Sequence, residues 1–221
     1  SSAALPCMAG TYSEATDLTE DKCTPAVAGF YASTGTTRQI KCSPGTVAPD
    51  PSMGTCAKCA GGKYQPGEGK EVCKSCVEGS YCPEGASAAL PCKAGSYSKA
   101  LDLDEVVRKC TLTSPGFYAP TGSTEQTPCS PGTYAAPLEV GATEGTGTCS
   151  NCPAGSFQKE SNASFCDPCK QGYYCPEGAA ASLPCAAGTH SDATNNPSDV
   201  NCSLTESGFY LSLIHISEPT R

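Results

Sequence analysis

The chain contains no tryptophan and has few large apolar side chains. Only 38% of its 221 residues are hydrophobic, and many of these are alanine or cysteine. This composition excludes a single large hydrophobic core, because there is too little Leu, Ile, Val and Phe to fill one. No apolar run approaches the ~20 residues that a transmembrane helix requires. We therefore expect no direct membrane insertion by this part of the protein.

Positive charge is also scarce. The chain has 14 Lys and Arg against 22 Asp and Glu, which gives a formal net charge of −8 and a pI near 4.7. Nucleic acid and anionic membrane surfaces repel such a polyanion, so we expect no nucleic-acid partner. The acidic clusters at 17–21 and 102–105 lack the spaced oxygen ligands and turn glycine of a calcium-binding loop. They are read as solvated acidic faces.

Cysteine, glycine and proline are abundant instead, at 18, 23 and 19 residues. About 8% cysteine lies at the edge of the range that signals a disulfide scaffold. Small segments without a sufficient core are normally held by covalent cross-links, and such links persist in oxidising compartments. The cysteine content therefore predicts an extracellular or cell-surface protein.

The cysteine spacing shows an internal repeat. From Cys7 the steps to successive cysteines are 16, 19, 14, 3, 14, 3, 6 and 10 residues. From Cys92 the steps are 18, 19, 20, 3, 14, 3, 6 and 10, and from Cys185 the first step is 17. The main difference is a six-residue excess between Leu138 and Thr148, typical of a surface loop. We predict repeat units at 1–91 and 92–184 and the start of a third at 185–210.

A finer motif places an aromatic residue five positions after a cysteine, usually with glycine between them, as in Cys7, Gly10 and Tyr12. Val47 and His190 depart from this pattern. A second form is Gly-Phe-Tyr, beginning at Gly29, Gly116 and Gly208. The glycine permits a turn with positive φ, and the ring after it can cover the adjacent disulfide.

Secondary structure should be sparse, because proline or glycine recurs every few residues. We expect strand pairs of two to four residues, and the one helix-compatible stretch is 102–108. The fold class predicted is therefore small and disulfide-rich, an elongated tandem array of cysteine-rich modules with short β-strands and little helix.

The spacing of Cys56, Cys59, Cys73 and Cys76 is similar to that of a zinc ribbon, and the same spacing recurs at Cys149, Cys152, Cys166 and Cys169. Thiolate ligands need a reducing compartment, however, and zinc sites would leave ten other cysteines unexplained. A thioredoxin-like role for these CxxC pairs needs a βαβ setting that the sequence lacks. We expect no metal site and no cofactor.

Disulfides account for the cysteines better, although eight cysteines already allow roughly a hundred pairings. An interleaved scheme uses sixteen of them and leaves Cys7 and Cys202 for partners beyond the ends of the chain. Its pairs are Cys23–Cys42, Cys56–Cys73, Cys59–Cys76, Cys82–Cys92, Cys110–Cys129, Cys149–Cys166, Cys152–Cys169 and Cys175–Cys185.

Two sequons are candidates for N-linked glycans: Asn162-Ala163-Ser164 and Asn201-Cys202-Ser203. Five prolines in Ser-Pro and Ala-Pro pairs are candidates for hydroxylation if the source is algal or plant-like: Pro44, Pro49, Pro120, Pro131 and Pro137. Catalysis finds no support in the sequence, which has no nucleophile motif, phosphate loop or paired carboxylates. The chain is not expected to be an enzyme.

Both ends carry unusual signals. Residues 1–7 match the interior linker that ends at Cys92, so we expect the natural protein to continue upstream. Residues 211–221 break the repeat after Tyr210 and look like the translation of a sequencing adapter, so they are excluded from the fold prediction.

The segments GSYCPEGASAALPCKAGSYS at 79–98 and GYYCPEGAAASLPCAAGTHS at 172–191, with the CxxCxxGxY blocks, carry a resemblance. The chain resembles the ephrin-receptor-like cysteine-rich repeat over nearly all of 1–210, in appearance a relative of TNF-receptor and EGF-receptor rod modules. Such repeats occur in receptor ectodomains and in large surface proteins of protists and algae, including mastigoneme-type filament proteins. The resemblance implies a rod of small modules stabilised by nearest-neighbour contacts, and it supplies no catalytic residues.

The leading functional hypothesis is an extracellular structural glycoprotein, part of a longer cell-surface or filament protein. Its expected partners are copies of itself or other surface and filament proteins. The alternative is the ligand-binding or stalk part of a receptor ectodomain.

Overall fold

The computed structural model describes residues 6–14, 23–104 and 110–205. Strands of two residues each form eleven antiparallel hairpins in these ranges. The regular helix in the described part is one 3₁₀ turn, Asp199–Asn201. Short strand pairs and little helix were the sequence prediction, and both are confirmed. Of the helix-compatible stretch 102–108, residues 102–104 are not helical and 105–108 lie outside the described residues.

The hairpins are numbered 1 to 11 along the chain. Their strand pairs are, in order, Thr11–Tyr12 with Thr24–Pro25, Phe30–Tyr31 with Ile40–Lys41, Thr46–Val47 with Ala57–Lys58, Lys63–Tyr64 with Lys74–Ser75, Ser80–Tyr81 with Leu90–Pro91, Ser96–Tyr97 with Thr111–Leu112, Phe117–Tyr118 with Thr127–Pro128, Thr133–Tyr134 with Ser150–Asn151, Ser156–Phe157 with Asp167–Pro168, Tyr173–Tyr174 with Leu183–Pro184, and Thr189–His190 with Ser203–Leu204.

Every hairpin begins with the same turn. The residue before its first strand is a glycine whose φ lies between 69° at Gly79 and 92° at Gly10. The next residue donates its backbone N–H to the carbonyl three positions earlier, as Thr11 does to Met8 at 3.0 Å. Positive φ at the third position of such a turn defines type II and favours glycine strongly. The predicted glycine turns are therefore confirmed.

The same glycine also closes its own hairpin. Its carbonyl accepts the N–H of the residue just after the second strand, as Gly132 does from Cys152 at 2.9 Å. Both polar backbone groups of the turn are thus directed into hydrogen bonds rather than towards solvent. This satisfies a requirement of buried backbone, since the turn glycines of hairpins 1 to 9 are buried.

The chain divides into two compact units, Ser1–Cys92 with Ser98–Cys110, and Lys93–Tyr97 with Thr111–Arg221. Within each unit, the turn glycine of one hairpin donates its N–H to a backbone carbonyl of the next hairpin. The acceptor belongs to the residue three positions after the turn glycine of that next hairpin. The first unit has five of these bonds and the second has five, all between 2.7 and 2.9 Å. Gly10 to Ala32 and Gly132 to Gln158 are examples.

A third contact reaches two hairpins further along. Above Gly132 lies the carbonyl group of Gly178, from the loop of hairpin 10, in the space that a Cβ atom would occupy. The N–H of Gly178 in turn donates to Cys152 at 2.8 Å. Equivalent contacts join Gly10 with Ser52 and Gly62 with Asp102. Each of hairpins 1 to 4 and 6 to 9 is thus held by its two successors, which is a nearest-neighbour array with one additional level.

All eighteen cysteines, each of which lies in a described range, form nine disulfides. Each cysteine pairs with the next along the chain: Cys7–Cys23, Cys42–Cys56, Cys59–Cys73, Cys76–Cys82, Cys92–Cys110, Cys129–Cys149, Cys152–Cys166, Cys169–Cys175 and Cys185–Cys202. The interleaved scheme is wrong in all eight pairs: Cys23–Cys42, Cys56–Cys73, Cys59–Cys76, Cys82–Cys92, Cys110–Cys129, Cys149–Cys166, Cys152–Cys169 and Cys175–Cys185. Cys7 and Cys202 are bonded within the chain.

Hairpin register explains the sequential pairing. In hairpin 3, the turn at Gly45 folds Cys42 back beside the first strand, and Val47 pairs with Ala57. That register places Cys56, the residue before Ala57, with its Cα atom 5.7 Å from that of Cys42, a normal disulfide separation. Cys59 follows the second strand, and it opens the next hairpin by bonding to Cys73. The two cysteines of a CxxC pair therefore belong to successive hairpins.

The interior consists mainly of cysteine and alanine. All nine of the largest fully buried side chains in the described residues are cysteines. Around the Cys76–Cys82 disulfide, Ala86 is buried and Tyr64 of the preceding hairpin packs against the cluster. Phe157 packs in the same way against Cys169 and Cys175. The predicted small, disulfide-rich, modular strand fold is confirmed, and at these two disulfides so is the covering role of the ring.

The hairpins follow a recurring order. A disulfide spans each of hairpins 1, 3 and 4, hairpin 2 contains none, and hairpin 5 has a short one of separation 6. Hairpins 6 to 10 follow the same sequence, and hairpin 11 again carries a long disulfide. The repeat boundaries at 1–91, 92–184 and 185–210 remain predictions.

Candidate functional site

The cysteines with zinc-ribbon spacing are not free to bind metal. Cys56, Cys59, Cys73 and Cys76 contribute to three different disulfides, whose other members are Cys42 and Cys82. A disulfide sulfur is not a thiolate, and the thiolate is the metal ligand. Nine disulfides are typical of a protein that folds in an oxidising, extracytoplasmic compartment.

Asn162 lies at an exposed position in the loop of hairpin 9, and its φ is 64°. Its N–H donates to Cys129 at 2.9 Å, and its carbonyl group approaches Gly116. This is the left-handed loop position that glycine fills as Gly69 and Gly178 in other hairpins. Asparagine tolerates left-handed φ better than most residues, so the fold supplies a structural reason for Asn162 in addition to the sequon.

Asn201, the second sequon residue, is exposed at the end of the 3₁₀ turn. The middle residue of its sequon, Cys202, is bonded to Cys185. Both acceptor asparagines are thus accessible in the folded chain, and Asn162 has the sequon without a cysteine. The five prolines considered for hydroxylation, Pro44, Pro49, Pro120, Pro131 and Pro137, are all exposed as well.

The aromatic side chains of the strands form no separate binding row. All twelve are half-buried, and Tyr64, Phe157 and Tyr173 pack against the buried cysteine clusters. Phe165, outside the motif, is exposed. The third Gly-Phe-Tyr, at 208–210, lies outside the described residues. Packing is therefore the role that the structure gives to the motif aromatics.

Two buried glutamines hold loops in a way that the sequence analysis missed. Gln65 donates from Nε2 to the Val72 carbonyl at 2.6 Å and accepts the Gly67 N–H at 3.1 Å. Gln158 repeats this one unit later, with Phe165 and Glu160 as its partners at 2.9 Å each. The signal was available, because both glutamines directly follow the motif aromatic.

Surface electrostatics add little to stability. Lys58 and Glu84 approach to 3.7 Å, but both side chains are more than two-thirds exposed. Exposed pairs of this kind contribute about 0–1 kcal/mol.

Of the acidic clusters, Asp102 occupies the left-handed loop position of hairpin 6, with φ of 58°. The cluster at 17–21 and residue 105 lie outside the described residues.

Hairpin 8 carries the one prominent departure from the repeat. Its loop contains the six-residue excess and encloses a groove of about 500 Å³. Tyr134, Leu138 and Val140 contribute apolar surface, and Glu139 and Glu144 lie along the same groove. The excess was predicted from the spacing of the cysteines, whereas the groove was not.

Comparison with protein-family models gives no match, and a search among curated proteins gives none either. None of the described residues belongs to a helix with the length and apolar character needed to span a bilayer.

Proposed function

We propose that this chain is part of an extracellular structural glycoprotein, a segment of a longer cell-surface or filament protein that is not an enzyme. The observation that supports this most is the use of the same three backbone contacts in successive hairpins. Turn glycines bond within their hairpin, to the next hairpin, and against the loop of the one after it. The backbone N–H and C=O groups of the turns thus connect successive modules to one another. This suits a load-bearing or spacing element.

The disulfides support the same proposal. They close loops of 6 to 20 residues and occupy the interior in place of large apolar side chains. Cross-links of this kind limit how far each module can unfold. Such cross-links persist in the oxidising environment outside the cell, which suits a structural protein there.

Self-association of the oxidised protein tests the filament assignment. We expect its sedimentation coefficient to rise with concentration and electron microscopy to show linear or laterally packed assemblies. A protein that stays monomeric at every concentration would contradict it. The receptor alternative would then gain support from a full-length transcript that encodes a transmembrane segment and a cytoplasmic domain.

The glycoprotein part has its own test. Secretion from a eukaryotic host should add an N-linked glycan at Asn162, seen as a mass shift that a glycosidase removes. Asn162→Gly removes the acceptor and keeps a residue suited to left-handed φ, and Ser164→Ala removes only the sequon. An unshifted mass for the parent chain would refute modification at Asn162 and Asn201.

A further inference from the structure

The groove of hairpin 8 is formed by residues that the hairpin array does not require. Hairpin 3 is its counterpart, with three residues between Ala48 and Ser52 where hairpin 8 has nine between Ala135 and Gly145. The residues that follow the loop nevertheless occupy equivalent places. The Met53 carbonyl accepts from Ala32 at 3.0 Å, and the Thr146 carbonyl accepts from Ala119 at 3.0 Å.

Two further pairs of matching contacts show that the register is unchanged after the insertion. Gly145 packs against Gly95 as Ser52 does against Gly10. A Cβ atom at Gly54 or Gly147 would lie 2.9 Å from the Cβ of Ala9 or Ala94, respectively. The additional residues therefore project from the array without changing it. They form a feature that can be removed without disturbing the fold.

The projecting loop has a defined conformation. Ala142 donates its N–H to the Glu139 carbonyl at 3.0 Å, and Gly141 has φ of 86°. These values describe another type II turn, with Val140 and Gly141 at its centre. Within the part of the chain that the structure describes, no atom lies within 4 Å of the Cβ position of Gly141, and Val140 is fully exposed. The turn thus presents the apolar side chain of Val140 to solvent.

The groove combines apolar surface with one sign of charge. Its apolar part comes from Tyr134, Pro137, Leu138 and Val140, and its volume of about 500 Å³ lies within the range of ligand pockets. Glu139 and Glu144 are exposed carboxylates, and none of the residues that line the groove is basic. Long basic side chains match this arrangement, because their stems cover apolar surface while the cationic heads meet carboxylates.

We propose that the groove of hairpin 8 binds a basic, partly apolar peptide segment of a partner protein. A peptide fits better than a small enclosed ligand, because Glu139, Val140, Gly141 and Glu144 are all exposed along an open edge. One lysine or arginine stem lies over Tyr134 and Leu138, and its cationic group faces the two carboxylates. The site gives an otherwise uniform array one specific attachment point, and it does not depend on the proposed filament function.

Titration of the full, oxidised, ¹⁵N-labelled chain tests this. The ligand is the capped peptide Gly-Lys-Leu-Lys-Gly, and the matched control ligand is Gly-Glu-Leu-Glu-Gly. The basic peptide should shift the amide signals of Val140, Gly141 and Ala142, with a Kd in the order of 10⁻⁴–10⁻³ M for so small a ligand. Glu139→Gln with Glu144→Gln should weaken binding about fivefold to tenfold, and so should raised salt, since exposed ion pairs are weak and screened.

Two control variants keep the test specific. Replacing residues 136–144 by Pro-Asp-Pro gives hairpin 8 the loop of hairpin 3, and it should abolish binding while amide protection elsewhere is kept. Glu68→Gln with Glu71→Gln makes the same charge change at exposed positions of hairpin 4 and should leave binding unaltered. Equal binding of the acidic peptide, shifts spread over other acidic surfaces, equal weakening by the hairpin 4 variant, or no shifts at all would each overturn the proposal.

Discussion

Replacement of a turn glycine by alanine separates backbone strain from the contact between hairpins. Gly132 and Gly188 hold the same position in hairpins 8 and 11, with φ of 84° and 85°. A Cβ atom at Gly132 would collide with the carbonyl group of Gly178, whose carbon would be only 3.1 Å away. At Gly188 no atom of the described residues lies within 4 Å of the corresponding position. The two sites therefore differ in the clash and not in φ.

The magnitudes follow from this difference. Alanine at positive φ costs about 1–2 kcal/mol at either site. At Gly132 the loop of hairpin 10 must also shift, which weakens the bond from Gly178 to Cys152 and adds about 2–3 kcal/mol. Gly132→Ala should thus cost about 3–5 kcal/mol, and Gly188→Ala about 1–2 kcal/mol.

Hydrogen exchange measures each cost locally, which suits an array that need not unfold as one unit. The reporter is the Cys152 amide for Gly132→Ala and the Thr205 amide for Gly188→Ala, since each donates to the mutated residue. Exchange should accelerate at least tenfold more at Cys152 than at Thr205. Equal acceleration of the two amides would refute the contact between hairpins 8 and 10.

Three further predictions use other parts of the fold. Gln158→Ala should destabilise hairpin 9 by about 1–3 kcal/mol in denaturant titrations, because the Phe165 carbonyl and Glu160 N–H lose their partner. The control is Gln171→Ala, which removes a single hydrogen bond from an exposed side chain, and equal effects of the two substitutions would contradict the role given to buried Gln158. Ser52→Gly should stabilise hairpin 3 by about 0.5–1 kcal/mol, because Ser52 has φ of 61°, and a loss of stability would contradict this. Replacing the Cys129–Cys149 disulfide by two serines should lower the free energy of unfolding by about 3 kcal/mol, and replacing Cys169–Cys175 should lower it by about 2 kcal/mol. The difference arises because the two disulfides close loops of 20 and 6 residues, and the reverse order would argue against the chain-entropy account.

Local features of this fold could be predicted from the sequence because short-range chemistry decides them. Glycine three positions after a cysteine predicts a type II turn, and nine of the eleven turns have it; Gly29 and Gly116, of the Gly-Phe-Tyr form, fill the same place in the other two. Lack of large apolar residues predicts a cysteine-rich interior, which is what surrounds Ala86 and Ala179. The six-residue excess before Cys149 predicts a surface loop, and hairpin 8 carries one.

Disulfide pairing could not be read from the same spacing, because it depends on strand register. The interleaved scheme treats Cys56 and Cys59 as one unit, whereas the strand Ala57–Lys58 separates them into two hairpins. An available signal was that sequential pairing leaves no cysteine over, so Cys7 and Cys202 need no outside partner. The groove could not be predicted from the sequence either, because its shape depends on the packing of Gly145 against Gly95 of hairpin 6.

The central claim is that sulfur cross-links, with the glycine bonds they position, hold these hairpins together. Amide exchange of the turn glycines, measured before and after full reduction without denaturant, tests it most directly. We predict that Gly45, Gly62, Gly132 and Gly155 are protected in the oxidised chain and exchange at nearly unfolded rates once the nine disulfides are reduced. Protection that survives reduction unchanged would contradict the account.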